Sequence, residues 1–362
     1  MNRPPMLRCP ECALQFQDRW RCTCEEPLRF AHRAEPEPAD PFEQQFDPRE
    51  GLWTFESLLP ITKQVSLGEG YTPLVSDESW NATFKLEYVN PTGSFKDRGA
   101  TTVVSRACEL NIERLHDDSS GNAGLAIATY AARAGIDTDI FVPATAKSSK
   151  ISAIRATGAT VVPVEGSRAA VSAACRNRTE SGESWYASHA WNPAFFAGTE
   201  TMAYEIAHQL DWSAPDCIVA PIGHGTAFLG LYRGFKRLKE LGWIDQQPRL
   251  FGGQAIGYDP IVRNIHGNAT PGNKNDLADG IQIEEPVQSR EITTAIRETS
   301  GDVIAISTAH VQSTLEKLHT QGFYVEPTAA VAPAALREFR TQGRIGMEDR
   351  VVVPLTGSGF TG

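Results

Sequence analysis

Short apolar segments alternate with helix-like segments along most of the chain, and this alternation restricts the fold more than any other feature. Apolar runs of four to eight residues between turn residues are typical of buried strands. The candidate strands are residues 82–86, 139–142, 160–163, 217–221, 303–306 and 350–355. Because parallel strands need long crossover connections, usually helices, the pattern predicts an α/β fold with mostly parallel sheets.

The helix candidates fall between these strands. They are a helix that starts near Lys96 and runs through residue 107, an alanine-rich segment at 122–134, residues 150–157, a helix from Phe228, and residues 311–320. The second of these stops at Gly135, a residue type that suits the C-terminal end of a helix. No internal repeat is visible, so the alternation indicates ordinary domains rather than a repeat protein.

Length and charge exclude several classes of protein. A chain of 362 residues can form two medium domains, each with its own core. No stretch approaches the roughly 18 apolar residues of a membrane span, and the N-terminal residues lack an apolar signal region, which predicts a cytoplasmic protein. The net charge of −10 argues against nucleic acid as a partner.

Four cysteines near the N-terminus form a CxxC pair, a nine-residue spacer and a CxC pair. These residues are Cys9, Cys12, Cys22 and Cys24. Four thiolates can surround zinc tetrahedrally, so residues 1–30 are predicted to form a cysteine ribbon that holds zinc. The second pair is tighter than usual, and a ribbon that has lost its metal is the alternative. Residues 31–50 are rich in proline and acidic residues, which predicts an extended linker.

The segment NPTGSFKDRG, residues 90–99, contains the first candidate for chemistry. Pro91 and Gly93 indicate a turn, and Ser94 is a candidate N-cap for a helix with Lys96 in its first turn. The helix dipole disfavours a cation at that end, so a neutral or imine-bonded lysine suits the position better. An exposed structural lysine is the alternative, and the dipole argument alone favours it.

The segment DSSGNAG, residues 118–124, precedes the alanine-rich helix. Its small residues allow the backbone to come close to a ligand. Asn122 has an amide that can bond a ring oxygen. The alternative is an ordinary cluster of helix-capping residues that binds nothing.

The segment APIGHGTAFLG, residues 220–230, places a glycine-rich turn between a strand and a helix. Such a turn presents backbone N–H groups at a helix N-terminus, which is a geometry that binds phosphate. The segment lacks both the P-loop lysine and a full GxGxxG, so the signal is weak by itself. His224 is either a ligand contact or a structural histidine.

The segment VPLTGSG, residues 353–359, follows the last strand candidate. Ligands of open α/β sheets bind beyond the carboxyl ends of the strands. Thr356 offers a neutral hydroxyl group at that place. The alternative is a turn threonine without a ligand.

These segments occur in an order that resembles the fold-type II pyridoxal 5′-phosphate (PLP) enzymes, the tryptophan synthase β family, and within it the threonine synthases. The similar segments are GEGYTPL (68–74), NPTGSFKDR (90–98), SSGNAG (119–124), GTETMAYEI (198–206), PIGHGTA (221–227), VEPTAA (325–330) and LTGSG (355–359). The cysteine ribbon is similar to one that precedes many threonine synthases. The resemblance implies two three-layer α/β domains with mostly parallel sheets, the smaller at 91–199 and the larger at 51–90 and 200–362.

The resemblance also implies roles for individual residues. Lys96 would be the Schiff-base lysine, Asn122 would bond the phenolic oxygen of the cofactor, and Thr356 would meet its pyridine nitrogen. The phosphate cradle would be Gly223, His224, Gly225, Thr226 and Ala227. PLP is an electron sink, and the Lys96 amine can then move protons on the substrate. Ser94 and Ser119 are predicted to contact the substrate.

Three departures from the threonine synthase pattern concern the substrate. The chain has GHGTA where GNAGN is usual, Phe195 where an arginine often follows Asn-Pro, and Glu200 where a lysine often precedes the threonine. An arginine is a natural partner for phosphate, so its absence questions O-phosphohomoserine as substrate. The candidates that would replace it are Lys147, Lys150 and Arg155.

Three functions remain open at this stage. The first is a threonine synthase that converts O-phosphohomoserine and water to threonine and phosphate. The second is a PLP enzyme for β-elimination, β-replacement or dehydration of another small amino acid. The third, of a different class, is an inactive PLP-binding regulatory protein. We also expect a homodimer, a small amino-acid substrate and no membrane or nucleic-acid partner.

Overall fold

The computed structural model describes residues 5–33, 35–146 and 148–361, apart from the side chains of residues 148–150 and 361. The chain forms two compact units. The first unit comprises Met1–Pro38, Gln45–Gly70 and Lys96–Thr199. The second unit comprises Ala39–Gln44, Tyr71–Phe95 and Glu200–Gly362. Residues 51–70, which the sequence assigned to the larger domain, therefore belong to the first unit.

Strands and helices alternate as the sequence predicted. The strands are β1 (Leu7–Arg8), β2 (Gln15–Phe16), β3 (Arg29–Phe30), β4 (Leu74–Asp77), β5 (Ala82–Lys85), β6 (Arg114–Asp117), β7 (Asp137–Pro143), β8 (Thr160–Val164), β9 (Trp185–Tyr186), β10 (Cys217–Pro221), β11 (Arg249–Ala255), β12 (Asp302–Ile306) and β13 (Val351–Pro354). The helices are α1 (Lys96–Glu109), α2 (Asn122–Ala134), α3 (Ser148–Ala156), α4 (Arg168–Glu180), α5 (Pro193–Gln209), α6 (Thr226–Glu240), α7 (Pro260–His266), α8 (Ser289–Glu298), α9 (Thr308–Thr320) and α10 (Pro327–Thr341). In the described part of the chain, no helix combines the length and the apolar character of a membrane span.

The first unit is built on a four-stranded sheet of order β8-β7-β6-β9, in which every pair is parallel. Helices α2 and α4 pack on its strand β7, and α1 packs against α2. The carboxyl ends of the parallel strands share one edge, so the loops after β6 and β9 lie side by side.

The cysteine ribbon is a three-stranded antiparallel sheet of order β2-β1-β3 with its own small core. It is attached to the rest of the first unit by side chains. The Arg106 guanidinium donates to the backbone oxygens of Pro5 (2.9 Å) and Gln17 (3.1 Å). The Trp20 ring meets Tyr186 edge-on at 5.6 Å between centroids. The ribbon is thus packed on the body of its unit.

The segment predicted to be an extended linker, residues 31–50, contains one 3-10 helix and the beginning of a second. These helices are Pro41–Glu43 and Pro48–Leu58. Each begins with a proline that follows a capping aspartate, and the carboxylates of Asp40 and Asp47 accept backbone N–H groups two residues on. The prediction of a wholly extended linker is therefore wrong, because Asp-Pro starts a helical turn.

The second unit is built on a six-stranded sheet of order β12-β11-β10-β13-β5-β4, with only the edge strand β4 antiparallel among the described strands. Helix α10 packs across β10, β11, β12 and β13 and supplies much of the core. Mostly parallel sheets flanked by helices in both units confirm the predicted α/β fold.

Candidate active site

Lys96 is the first residue of α1 in the first unit and is half-buried. The residues that follow it in the helix are almost all buried, including the charged side chains of Asp97 and Arg98. The helix begins at Lys96, and Phe95 precedes it in the chain. The lysine therefore stands at the start of a buried helix rather than on an exposed one.

The backbone before Lys96 is held by the segment after β13, within the second unit. The Phe95 N–H donates to the Thr356 carbonyl oxygen (3.1 Å), and the Ser358 N–H donates to the Gly93 oxygen (2.8 Å). Ser94 and Gly357 form an antiparallel bridge between these two bonds. Two of the four sequence motifs are thus paired directly, and Lys96 follows Phe95 in the chain.

Asn122 is the first residue of α2, and Gly121 precedes it in an extended conformation. The Gly121 N–H donates to the Ser119 hydroxyl oxygen (3.3 Å). A Cβ atom at Gly124 would lie 1.9 Å from the Ser119 carbonyl oxygen, so only glycine fits there. The SSGNAG segment therefore forms a tight turn that places the buried Ser119 and half-buried Asn122 at the start of a helix.

The glycine-rich turn of the second unit connects β10 with α6. Gly225 precedes the helix with φ of 80° in the left-handed region, and no side chain caps the helix. Among the described residues, the N–H groups of Thr226, Ala227 and Phe228 consequently have no intrahelical or side-chain capping partner, whereas the Leu229 N–H bonds the Gly225 oxygen. A Cβ atom at Gly223 would lie 3.1 Å from the Ile281 Cα, which leaves little room for a side chain. This arrangement suits a phosphate group.

Thr356 lies beyond β13, which pairs in parallel with β10. The carboxyl ends of two adjacent parallel strands therefore bring Thr356 and the glycine-rich turn to one edge of the second-unit sheet. Thr356 is 2 % exposed. Its hydroxyl oxygen is buried and has no hydrogen-bond partner among the described residues. A buried polar atom of this kind fits a ligand group that bonds it, as the pyridine nitrogen of PLP would.

The substrate-phosphate candidates are only partly described. Lys147 and the side chain of Lys150 lie outside the described residues. Arg155 lies in the last turn of α3 and is exposed. Phe195, which stands where an arginine is often found, is fully buried, and its ring would touch a Cβ atom placed on Gly99. This position therefore belongs to the core of the first unit.

A buried network around Glu69 was missed from the sequence, although its GEGYTPL segment was noticed. The Glu69 carboxylate accepts hydrogen bonds from the Trp53 indole (2.8 Å), the Leu67 N–H (2.7 Å) and the Tyr130 hydroxyl (3.0 Å). Burial, together with the nearby charges of Asp97 and Glu69, raises the pKa of Tyr130. The network thus joins the segment before Gly70 to α2.

Lys85 is a second buried lysine, in the second unit. Its ammonium group donates to the Thr72 carbonyl oxygen (2.6 Å), the Glu205 carboxylate (2.9 Å) and the Gln209 side chain (2.8 Å). The Glu205 carboxylate also accepts the Tyr71 N–H at 2.7 Å. Because all three ammonium protons have acceptors, Lys85 is a charged structural lysine and does not compete with Lys96 for an imine bond.

The four ribbon cysteines meet at one point. The Sγ–Sγ distances are 3.6 Å for Cys9–Cys24, 3.3 Å for Cys12–Cys22 and 3.7 Å for Cys12–Cys24. Tetrahedral zinc with Zn–S bonds of about 2.3 Å requires sulfur separations of about 3.8 Å. Desolvation opposes ionisation of Cys22, but hydrogen bonds from the Cys24 backbone and the neighbouring thiols lower its pKa to about 6. The four ribbon cysteines therefore have a geometry that suits a zinc ion.

The sequence profile of the family described as "Pyridoxal-phosphate dependent enzyme" matches residues 65–357. The chain belongs to this family. PLP is accordingly its cofactor, and the uncapped α6 and the buried Thr356 hydroxyl fit that cofactor. The family match contains the first three motifs and the fourth as far as Gly357.

Curated relatives and solved structures agree with this assignment. Threonine synthase from Methanosarcina acetivorans is 35% identical over 320 residues, which cover 84% of this chain and 79% of that protein. Threonine synthase from Methanocaldococcus jannaschii is 30% identical over 375 residues, which cover 98% and 92%. A PLP-dependent aspartate racemase structure has a TM-score of 0.68 at 24% identity, and covers 80% of this chain and 90% of that chain. The structure of the processed form of threonine deaminase isoform 2 from Solanum lycopersicum has a TM-score of 0.68 at 20% identity. The match covers 80% of this chain and 79% of that chain. These two structures share the fold.

Proposed function

We propose that this chain is a PLP-dependent lyase that converts O-phosphohomoserine and water to threonine and phosphate. The observation that supports it most is the similarity to threonine synthases over nearly the whole chain. The Methanocaldococcus jannaschii relative matches 98% of this chain, so the match reaches into the cysteine ribbon as well as the catalytic body.

The residues of the four motifs take separate tasks in this proposal. When bound, PLP supplies an electron sink that stabilises negative charge at the substrate carbon atoms. The N–H groups from Gly223 to Ala227 hold the cofactor phosphate, and Asn122 bonds its phenolic oxygen. Lys96 anchors the cofactor, and its amine moves protons on the substrate.

Thr356 decides which reaction class the proposal favours. Its hydroxyl is neutral, so it demands less protonation of the pyridine nitrogen than a carboxylate in that position would. A ring that is not fully protonated suits elimination and replacement better than transamination. This supports a lyase on the threonine synthase pattern.

The substrate phosphate is assigned to residues 147–155, most of which belong to α3. A dianionic phosphate needs cationic donors. Arg155 is exposed on α3, where it is available for such a contact, and Lys147 and Lys150 precede it in sequence. We assign the phosphate to these three residues because the arginine often found at position 195 is replaced by a buried phenylalanine.

Phe195 also supports a second candidate function. A buried aromatic ring at this position removes one cation from the family's usual set. An enzyme that eliminates water from, or replaces a β-substituent of, an unphosphorylated amino acid would not need that cation. This candidate shares the cofactor residues with the first and differs only in the substrate.

The test is turnover of O-phosphohomoserine by the PLP-loaded protein, followed by free phosphate and by threonine. Serine, threonine and O-phosphoserine serve as competing substrates. Lys96→Ala should abolish turnover, whereas Lys317→Ala, a change at a lysine of helix α9 outside the four motifs, should leave it intact. Turnover of serine or threonine without phosphate release from O-phosphohomoserine would favour the second candidate.

A further inference from the structure

Two aspartates and a histidine meet at the carboxyl edge of the first-unit sheet. Asp117 is the last residue of β6, Asp118 follows it, and His189 lies three residues beyond β9. Strands β6 and β9 are parallel neighbours, which brings these residues together. One ligand atom from each of the three side chains lies within 4.8 Å of the other two.

Asp117 is the member of the group that points to a ligand. Its side chain is 0 % exposed. Neither of its carboxylate oxygens accepts a hydrogen bond within the described part of the chain. A buried carboxylate is costly unless it is paired, hydrogen-bonded or bound to a metal. The side chain thus requires a partner that the protein residues around it do not supply by hydrogen bonding.

The distance between Asp117 and His189 separates two explanations. The Asp117 Oδ1 and His189 Nδ1 atoms are 3.5 Å apart. A hydrogen-bonded ion pair with a protonated histidine would place them at about 2.7–2.9 Å. Two ligands bound at about 2.1 Å to one tetrahedral cation lie about 3.4 Å apart. The observed distance therefore matches two ligands of a shared cation.

Asp118 is held in place in the way that metal-binding carboxylates usually are. The Tyr186 hydroxyl donates to its Oδ1 at 3.0 Å, and the Ser172 hydroxyl donates to its Oδ2. Such outer hydrogen bonds orient a ligand and leave lone pairs for a metal. Asp118 is half-buried, whereas Asp117 and His189 are buried. A cation would approach from the side of Asp118.

We propose that Asp117, Asp118 and His189 bind a divalent first-row metal ion such as Mn²⁺ or Zn²⁺, with water completing its coordination. Two carboxylate oxygens and one imidazole nitrogen are a ligand set that such ions accept. The site is separate from the ribbon cysteines. The proposed site lies directly before Ser119 in the chain. A bound cation would therefore neutralise the negative charges of Asp117 and Asp118 beside the turn that leads to Asn122.

The experiment is a Mn²⁺ titration of the PLP-loaded, chelator-treated full chain, followed by electron paramagnetic resonance. Mn²⁺ is the probe because thiolate sites disfavour it. We expect one tightly bound ion with an electron spin echo modulation from a ¹⁴N ligand. Because the ribbon site contains only sulfur ligands, this nitrogen signal places the ion outside the ribbon, and its loss in His189→Gln assigns the nitrogen to His189.

Variants separate the site from general metal binding. Asp117→Asn should weaken Mn²⁺ binding at least tenfold, and His189→Gln should remove the ¹⁴N modulation. The matched controls Asp245→Asn and His310→Gln change exposed residues. They should leave both the Mn²⁺ affinity and the ¹⁴N modulation unchanged. If a variant fails to fold, two measurements on the wild-type protein still test the proposal. These are the Mn²⁺ titration and the rise in thermal midpoint that bound Mn²⁺ should cause. Wild-type protein that binds no Mn²⁺, or binds it without a ¹⁴N ligand, overturns the proposal.

Discussion

The change Thr356→Val should act in opposite directions on the cofactor-free protein and on cofactor binding. Threonine and valine have nearly the same shape, so the change replaces one hydroxyl group by a methyl group. In the free protein that hydroxyl is buried, and no described residue bonds it. Leaving such a group unpaired costs about 1–3 kcal/mol, and its removal should stabilise the free protein by that amount.

The same hydroxyl should favour cofactor binding, because it meets the pyridine nitrogen there. A neutral hydrogen bond contributes about 0.5–1.5 kcal/mol to the bound form, and this loss adds to the stabilisation of the free form. The two terms sum to at least about 1.5 kcal/mol, so the valine variant should bind PLP at least about tenfold more weakly. The stabilisation of the free protein should raise its thermal midpoint by at least about 2 °C. Thr356→Ser is the matched control, since it keeps the hydroxyl and loses only a methyl group.

The assay compares thermal unfolding of the cofactor-free proteins with PLP titrations followed by absorbance. The serine variant should bind PLP nearly as the wild type does and be slightly less stable without it, because about 0.8 kcal/mol of methyl burial is lost. A valine variant that is less stable than the wild type in the free form would show that the hydroxyl has a partner there, such as water. Unchanged PLP affinity in the valine variant would remove Thr356 from the cofactor site.

Four further outcomes are expected. Borohydride reduction should abolish the visible absorption band and leave the reduced adduct on Lys96, and mass spectrometry that finds it on another lysine contradicts the assignment. Gly225→Val should release PLP, because φ of 80° and the nearby Ile292 side chain exclude a branched residue; retained affinity in a cofactor titration would place the phosphate elsewhere. Metal analysis should find one zinc ion in the cysteine ribbon. The variant Cys9→Ala should lose this zinc ion and keep its catalytic activity. Arg155, Lys147 and Lys150 are each replaced by alanine, and at least one of these single variants should bind O-phosphohomoserine about tenfold more weakly in steady-state kinetics. An unchanged affinity in all three variants would mean that the substrate phosphate binds elsewhere.

The fold was predictable where the local pattern was strong. The strand at residues 217–221 coincides with β10, and the predicted helix at 311–320 lies inside α9. Helix α5 was missed because its polar residues, such as Glu200 and Glu205, are buried like its aromatic residue Phe195, so no exposed polar face marks its period. Periodicity does not reveal a helix that is buried on every side.

The candidate site was predictable only in part, for a different reason. Motifs show which residues are chemically suitable, but they do not show burial or partners. Lys85 and Lys96 are both lysines near turns, and only the structure shows that Lys85 is saturated by Thr72, Glu205 and Gln209. Asp117 lay one residue outside the DSSGNAG motif, and no sequence signal linked it to His189, because their contact depends on the parallel pairing of β6 and β9.

The pairing of residues 93–95 with residues 356–358 explains why a lysine can stand at the start of a helix. The helix dipole disfavours a cation at that position, and this cost argues against Lys96 when the helix is considered alone. The structure adds a backbone constraint, since the Phe95 N–H is committed to the Thr356 oxygen and the chain cannot shift at the lysine. A lysine bonded to the cofactor as an imine would avoid part of this cost. The position that is unfavourable for a structural lysine is therefore favourable for one that forms an imine.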